Sequence, residues 1–285
     1  MKVLVTGGAG FVGSNLVDEL ISKGHTVSII DNFSTGKRGN VHPNAYCWEA
    51  DLTTINFSEL CKYVDGYDAI FHMAAIARIQ PSFNRPNKYI ETNFNGTHTI
   101  VRVCKHKNIP LIYAGSSSHH SGKLKNPYTF SKGIGEEVIK LYEEHFGLKA
   151  SIARFYNVYG PRQLMEGGYT TLIGKWLNNI QNDIQCEIYG DGQKRRDFTH
   201  VYDIVDGLIK IMENKCYGFT FELGRGKNYS INEVAKLFSI KPKYLDDKPG
   251  EAQETLAENS LANVALGWKP KRNLEDYIQG ELYEE

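Results

Sequence analysis

KVLVT at Lys2–Thr6 runs without a break into GGAGFVG, so that Gly7, Gly10 and Gly13 fall where an apolar strand pattern ends and a helix pattern begins. Few chain geometries accept that succession. A helix starting there offers unpaired N–H groups and a partial positive charge, and glycine lets the backbone approach a bound pyrophosphate closely. The next apolar run, Thr26–Ile30, ends at Asp31. A carboxylate at that strand end can accept hydrogen bonds from the ribose hydroxyls of a dinucleotide and repels a 2′-phosphate, which selects NAD over NADP. Lys37 and Arg38 nearby read as solvated loop charges, and Asp51 is a candidate partner for the adenine amino group.

Further apolar runs at Ala69–Met73, Pro110–Ala114 and Ala150–Phe155 alternate with helix-like stretches, among them Val12–Ser22, Asn87–His106 and Tyr128–His145. Such alternation predicts an α/β fold, a doubly wound parallel sheet of the Rossmann kind with helices on both faces. After Phe155 the pattern is broken by Gly167, Gly168, Gly190 and Gly192, and helical spacing returns at Tyr202–Asn214 and Ile231–Phe238. The expected organisation is an NAD-binding domain over 1–164, rejoined by 195–222, and a smaller, partly interleaved substrate domain over 165–194 and 223–285.

Lys+Arg and Asp+Glu both number 33, so no basic field gathers nucleic acid or acidic lipid. The five cysteines are scattered without a C-x-x-C pair, which argues against a disulfide framework and a zinc site and leaves no metal expected. No apolar stretch approaches the ~18 residues of a membrane span, and the chain opens on a strand pattern without a signal peptide. A cytoplasmic protein is the expectation.

In NPYTFSKGIGEEVIKLYEEHFG, Tyr128 and Lys132 lie a turn apart on one helical face. For tyrosine to act as a base near neutrality its pKa must fall from about 10 by roughly three units, which Lys132 and a cationic nicotinamide can supply. The serine run Ser116–Ser118 ends the strand PLIYAG and so belongs at the C-terminal edge of the sheet, where ligands of such folds bind.

Together with HMAA at His72–Ala75, NFNGT at Asn93–Thr97, RFYNVYGPRQ at Arg154–Gln163, RRDFTHVYD at Arg195–Asp203 and LGWKP at Leu266–Pro270, these residues make the chain resemble the NAD-dependent epimerase/dehydratase family over nearly its whole length. The likeness is closest in pattern to UDP-sugar 4-epimerases. The resemblance implies Tyr128 as catalytic base, Lys132 as the ribose-binding, pKa-lowering lysine and Ser117 as the hydroxyl sharing the substrate proton. It places NAD against Gly7, Gly10, Phe11, Val12, Gly13, Asp31, Asn32, Asp51, Leu52, Ala74, Asn93, Tyr128 and Lys132. A nucleoside-diphosphate sugar, UDP-linked by preference, is expected against Ser117, Ser118, His119, Asn157, Arg196, Lys248 and Thr255. It also implies a homodimer built through the helices at Asn87–His106 and Tyr128–His145. For Arg196 the competing expectation is a salt bridge to Asp197 or Asp203.

The chain departs from the family pattern at His119–His120–Ser121–Gly122, where V-Y-G is usual, in the short loop from Gly122 to Tyr128, at Lys248 in KPGE, where arginine is usual, and in its short C-terminus. Family dehydratases follow the active hydroxyl with Asp-Glu. With Ser117 as that hydroxyl, Ser118 and His119 stand there instead, which favours a 4-epimerase acting on a UDP-hexose or UDP-N-acetylhexosamine. Thr255, counted from Lys248, falls where a bulky tyrosine narrows the pocket of hexose-restricted relatives and so would leave room for a 2-acetamido group. The alternatives are a dehydratase or reductase of the family, with His119 carrying the proton, and a catalytically silent NAD-binding regulator.

Overall fold

The computed structural model describes residues 1–283. Six strands of a parallel sheet come from the first part of the chain: β1 (Lys2–Thr6), β2 (Thr26–Asp31), β3 (Tyr46–Glu49), β4 (Ala69–His72), β5 (Leu111–Ser116) and β6 (Ala150–Phe155). Four short strands follow, β7 (Val158–Tyr159), β8 (Glu187–Tyr189), β9 (Arg195–Asp197) and β10 (Thr199–His200), before β11 (Phe219–Leu223) returns to the sheet. Its seven strands run in the order β11-β6-β5-β4-β1-β2-β3, every neighbouring pair parallel. Strands buried on both faces need apolar side chains at nearly every position. That is why Val3, Leu4 and Val5 are completely buried in succession.

Helices α1 (Phe11–Ser22), α2 (Phe57–Tyr63), α3 (Ile79–Asn84), α4 (Pro86–Ile90), α5 (Gly96–Lys107), α6 (Pro127–Phe146), α7 (Leu172–Gln181) and α8 (Val201–Glu213) cover the faces and ends. One core joins α1 and α8 to the sheet, and a second packs α2, α5 and α6 on the other face. The doubly wound sheet is therefore as expected. The single helix expected over Asn87–His106 is not: α4 ends at Ile90, Glu91–Asn95 widens into a π-helical turn, and α5 begins at Gly96. The wide turn carries the fully buried Asn93, whose amide bonds both the N–H (2.7 Å) and the carbonyl (3.0 Å) of Ile76 and the Ser131 hydroxyl (3.0 Å). π-turns inside helices frequently mark functional sites.

The remaining elements are β12 (Asn228–Ser230), α9 (Ile231–Leu237), β13 (Lys243–Leu245), α10 (Ser260–Leu266) and α11 (Leu274–Tyr283). A third core centres on Trp176, Ile188, Tyr229, Phe238 and Ile278. The chain interleaves more finely than the expected boundaries. Within 195–222, α8 and β11 lie with the large sheet, but β9 pairs antiparallel with β12. Within 223–285, Ala262, Leu266 and Trp268 belong to the first core, because the Trp268 indole N–H reaches back to the Asp203 carbonyl at 2.8 Å. Among the described residues no helix is long and apolar enough to cross a membrane.

Candidate active site

The first cleft opens where β1 meets α1. Gly7 takes φ +68°, and a Cβ there would stand 2.7 Å from Ala74 Cα. A Cβ on Gly13 would stand 2.1 Å from the Gly7 carbonyl, so the loop closes this tightly only without side chains. The N-terminus of α1 has no side-chain cap and no acid in its first turn, which leaves its N–H groups and dipole for an anion. Asp31 organises the loop: one carboxylate oxygen accepts from the Ala9 N–H (2.9 Å) and the other from the Phe33 N–H (2.8 Å). Asp51 accepts from the Thr53 N–H (2.9 Å), the Thr53 hydroxyl (2.7 Å) and the Asn32 amide (2.9 Å). Burial pushes that carboxyl up, but these bonds and the Lys88 charge together hold it below its ordinary value.

Gly7, Gly10, Phe11, Val12, Gly13, Asp31, Asn32, Asp51, Leu52, Ala74, Tyr128 and Lys132 all line this cleft. Asn93 does not. Its amide is spent on Ile76 and Ser131, so it pins the turn after β4 to α6 from behind. The glycine cradle, the free helix N-terminus and the strand-end acid fit a dinucleotide.

Tyr128 stands in the first turn of α6, which is capped by the Asn126 side chain accepting from the Thr129 N–H at 2.8 Å and started by Pro127. Its hydroxyl donates to Ser116 Oγ at 3.1 Å. The serine bonded to Tyr128 is thus Ser116, and Ser117, expected there, has no hydrogen bond to it among the described residues. β5 runs through Ser116, whose side chain the pleat turns toward α6, and a 3₁₀ turn begins at Ser117. Ser118 is buried beside it, its Oγ accepting from Ser116 at 3.0 Å.

Lys132 does not reach the tyrosine hydroxyl either. Its ammonium donates to the Ala114 carbonyl at 2.6 Å and lies 4.1 Å from the centre of the Tyr113 ring. Burial pushes its pKa down to about 7, against the opposing charge of Glu136. Burial raises the Tyr128 pKa, while the Ser116 bond and the Arg78 charge pull it back.

His119 leaves the site altogether. Its Nδ1 lies 3.2 Å from Glu136 Oε2, and Glu136 is buried against Arg154 (2.7 Å) behind β5. His120 pairs with Glu222. The short loop thus turns both histidines toward carboxylates packed behind the sheet edge, and neither lines the cofactor cleft; nor do they line the second cavity described below.

A second, wider cavity holds Asn157, Arg196 and Lys248 along its walls. Asn157 donates to the Asp197 carbonyl (3.0 Å) and to Thr255 Oγ1 (3.1 Å), and Arg196 pairs with Glu251 at 3.3 Å, not with Asp197 or Asp203. The Lys248 ammonium lies 3.3 Å from the centre of the Tyr189 ring. Thr255 does not line the cavity: its hydroxyl accepts from Asn157 and the Asp197 N–H, since the strand-like pairing of 253–255 with Arg195–Asp197 turns it inward. Arg78 and Tyr169, which sequence reasoning passed over, line both cavities and mark where they join. An arginine after HMAAIA carried no spacing signal.

The NAD dependent epimerase/dehydratase family matches residues 3–224. A putative UDP-glucose 4-epimerase of Methanocaldococcus jannaschii is 32% identical, the match covering 97% of this chain and 96% of that protein. The UDP-N-acetylglucosamine 4-epimerase of Methanobrevibacter ruminantium M1, solved with UDP-N-acetylmuramic acid, is 32% identical with a TM-score of 0.89 over 98% of this chain and 96% of that one. The UDP-glucuronic acid 4-epimerase of Bacillus cereus, solved with UDP-glucuronic acid and NAD, is 27% identical with a TM-score of 0.88 over 99% and 98%. Decarboxylases of UDP-linked uronates match at similar identity. The chain is an enzyme that uses NAD and belongs to the NAD dependent epimerase/dehydratase family.

Proposed function

We propose that this protein is a nucleotide-sugar 4-epimerase that oxidises its substrate transiently at C4. The observation that carries the reading is the Tyr128–Ser116 hydroxyl pair, whose Tyr128 lines the NAD cleft together with Arg78. NAD, when bound, supplies a hydride acceptor that can also return the hydride. Tyr128 takes the proton of the C4 hydroxyl, Ser116 holds the oxygen as charge develops, and Lys132 holds the cofactor ribose. The second cavity gives a 4-keto sugar room to turn, after which the hydride returns to the opposite face of C4 and Tyr128 returns its proton to the C4 oxygen, while Asn157, Arg196 and Lys248 hold the diphosphate. No net oxidation results.

With Ser116 as the active hydroxyl, Ser117 and Ser118 follow it, so no carboxylate stands where elimination of water would need an acid and a base. Decarboxylase relatives give a second reading, in which the oxidised sugar loses carbon dioxide. The relatives act on hexose, N-acetylhexosamine and uronate substrates, so their names leave the sugar open; Thr255 lends the acetamido choice no support. A homodimer is part of the reading, supported by the half-exposed Leu141 and Phe146 on α6.

NMR product analysis with UDP-, GDP- and dTDP-sugars tests the reaction. C4 epimers with no net NAD reduction are expected, and a dehydrated or decarboxylated product overturns the proposal. Tyr128→Phe is expected to abolish turnover while NAD stays bound. Light scattering at micromolar concentration tests the dimer.

A further inference from the structure

Arg78 is a cation at both cavities that the reaction scheme leaves unassigned. It opens α3 with φ +87° and ψ 136°, a left-handed backbone that a residue bearing a Cβ holds only when its surroundings enforce it. Such strain concentrates at ligand clamps and active sites. Its Nε donates to the Tyr169 carbonyl at 3.1 Å, and this is its one side-chain hydrogen bond among the described residues. Arg154 and Arg196 pair with Glu136 and Glu251, whereas no carboxylate of the described residues pairs with Arg78.

Its position narrows what the missing partner is. Arg78 lines both cavities, and its charge bears on Tyr128, from which Lys132 has turned away to Ala114. The cofactor pyrophosphate belongs at the glycine loop, and the sugar-linked diphosphate belongs with Asn157, Arg196 and Lys248. The hexose must lie between them for its C4 hydroxyl to reach Tyr128. Glu251 bears on Arg78 only from beyond pairing distance and is itself paired with Arg196; a half-buried guanidinium with no carboxylate in pairing distance is costly to hold, and its planar fork fits a carboxylate through two parallel bonds.

We infer that Arg78 is a specificity-determining residue that pairs with a carboxylate carried on the sugar ring, so that the substrates of this site are nucleoside-diphosphate sugars with an acidic substituent, uronates foremost. The inference rests on the proposed placement of the C4 hydroxyl at Tyr128. The same pairing keeps the substrate carboxylate from opposing ionisation of Tyr128, because the two charges beside the tyrosine cancel.

The test compares kcat/KM of the NAD-loaded enzyme for UDP-glucuronate, UDP-galacturonate, UDP-glucose and UDP-N-acetylglucosamine. A uronate preference of about tenfold or more is expected in the native protein, because a neutral sugar leaves the guanidinium without a matching charge. Arg78→Met should lower kcat/KM for uronates about a hundredfold and for neutral sugars less than about threefold, with NAD content unchanged, and Arg78→Lys should restore part of the preference. A native preference for neutral sugars, an equal loss on all four sugars, or loss of NAD overturns the inference. If Arg78→Met does not fold, the native preference decides. If the native protein turns over none of the four, the ratio of its Kd values for UDP-glucuronate and UDP-glucose decides. A preferred uronate converted to a UDP-pentose would uphold Arg78 and overturn the epimerase reading. Neutral sugars epimerised in preference to uronates would do the reverse.

Discussion

The Tyr128 hydroxyl donates to Ser116 Oγ at 3.1 Å, tying the first turn of α6 to the last residue of β5. Ser117, one residue on, has entered the 3₁₀ turn and makes no such bond. Ser116→Ala is therefore expected to lower kcat by roughly 10²-fold or more, within the range for removal of a proton-transfer partner. Ser117→Ala should stay within about threefold. Steady-state kinetics on the two variants separates the neighbours, and equal effects would show that the hydroxyl pair is not the reacting one.

Lys132 offers a test in pH. Its folded pKa of about 7 lies below the unfolded value of about 10.4, so between those values the unfolded chain binds the extra proton and stability rises with pH. The penalty is greatest below about pH 7 and gone above about 10.4. Lys132→Met removes it, so the variant should melt higher than the native protein at pH 6.5, by an amount that shrinks toward pH 10, while turnover collapses. Thermal melts across that range check the slope. A pH-independent difference would mean that the buried ammonium carries no such penalty.

At the glycine loop, Gly13→Ala and Gly10→Ala should differ sharply. The first Cβ would fall 2.1 Å from the Gly7 carbonyl and the second 3.2 Å from it. Gly13→Ala must shift backbone and should lose NAD on purification, with a fall in stability of about 2 kcal/mol or more. Gly10→Ala needs only a few tenths of an ångström of give. Absorbance of the bound cofactor and urea midpoints read both.

Asp197 is completely buried, and its carboxylate accepts from the N–H groups of Arg225 (2.8 Å), Gly226 (2.9 Å) and Ala257 (3.1 Å) and from the Thr199 hydroxyl (3.3 Å). Asp197→Asn turns an amide donor toward these donors. A loss of about 2–4 kcal/mol is expected, since buried donors are left unmatched. Urea denaturation measures it, and a loss under about 1 kcal/mol would show that the cluster relaxes around the amide.

The strands of the large sheet were legible because full burial writes itself as unbroken apolar runs, as in Val3–Val5 and Ile70–Phe71. The dinucleotide cleft was legible for a related reason: glycine at Gly7 and Gly13 is a steric necessity, and Asp31 sits where the strand stops. Three consecutive serines hid the reacting one, because side-chain alternation identifies a facing residue only when the strand end is known, and nothing local marks Ser116 as that end. Asn93 read as a cofactor contact, yet its partners Ile76 and Ser131 are distant in sequence. Thr255 failed similarly, since pairing of 253–255 with Arg195–Asp197 decides its direction. Arg78 was invisible because its meaning comes from the meeting of two cavities.

The place of β11 at the sheet edge bears on how the protein is made. The strand beside β6 comes from Phe219–Leu223, after the chain has already passed through α7, β8 and β9. While a ribosome is still extending the chain, the glycine loop and β1–β6 can assemble, but β6 presents a row of unpaired backbone groups until residue 223 has emerged. An open edge of that kind invites pairing with another nascent chain. The interval between synthesis of Phe155 and of Leu223 is thus the period in which the β6 edge stands open.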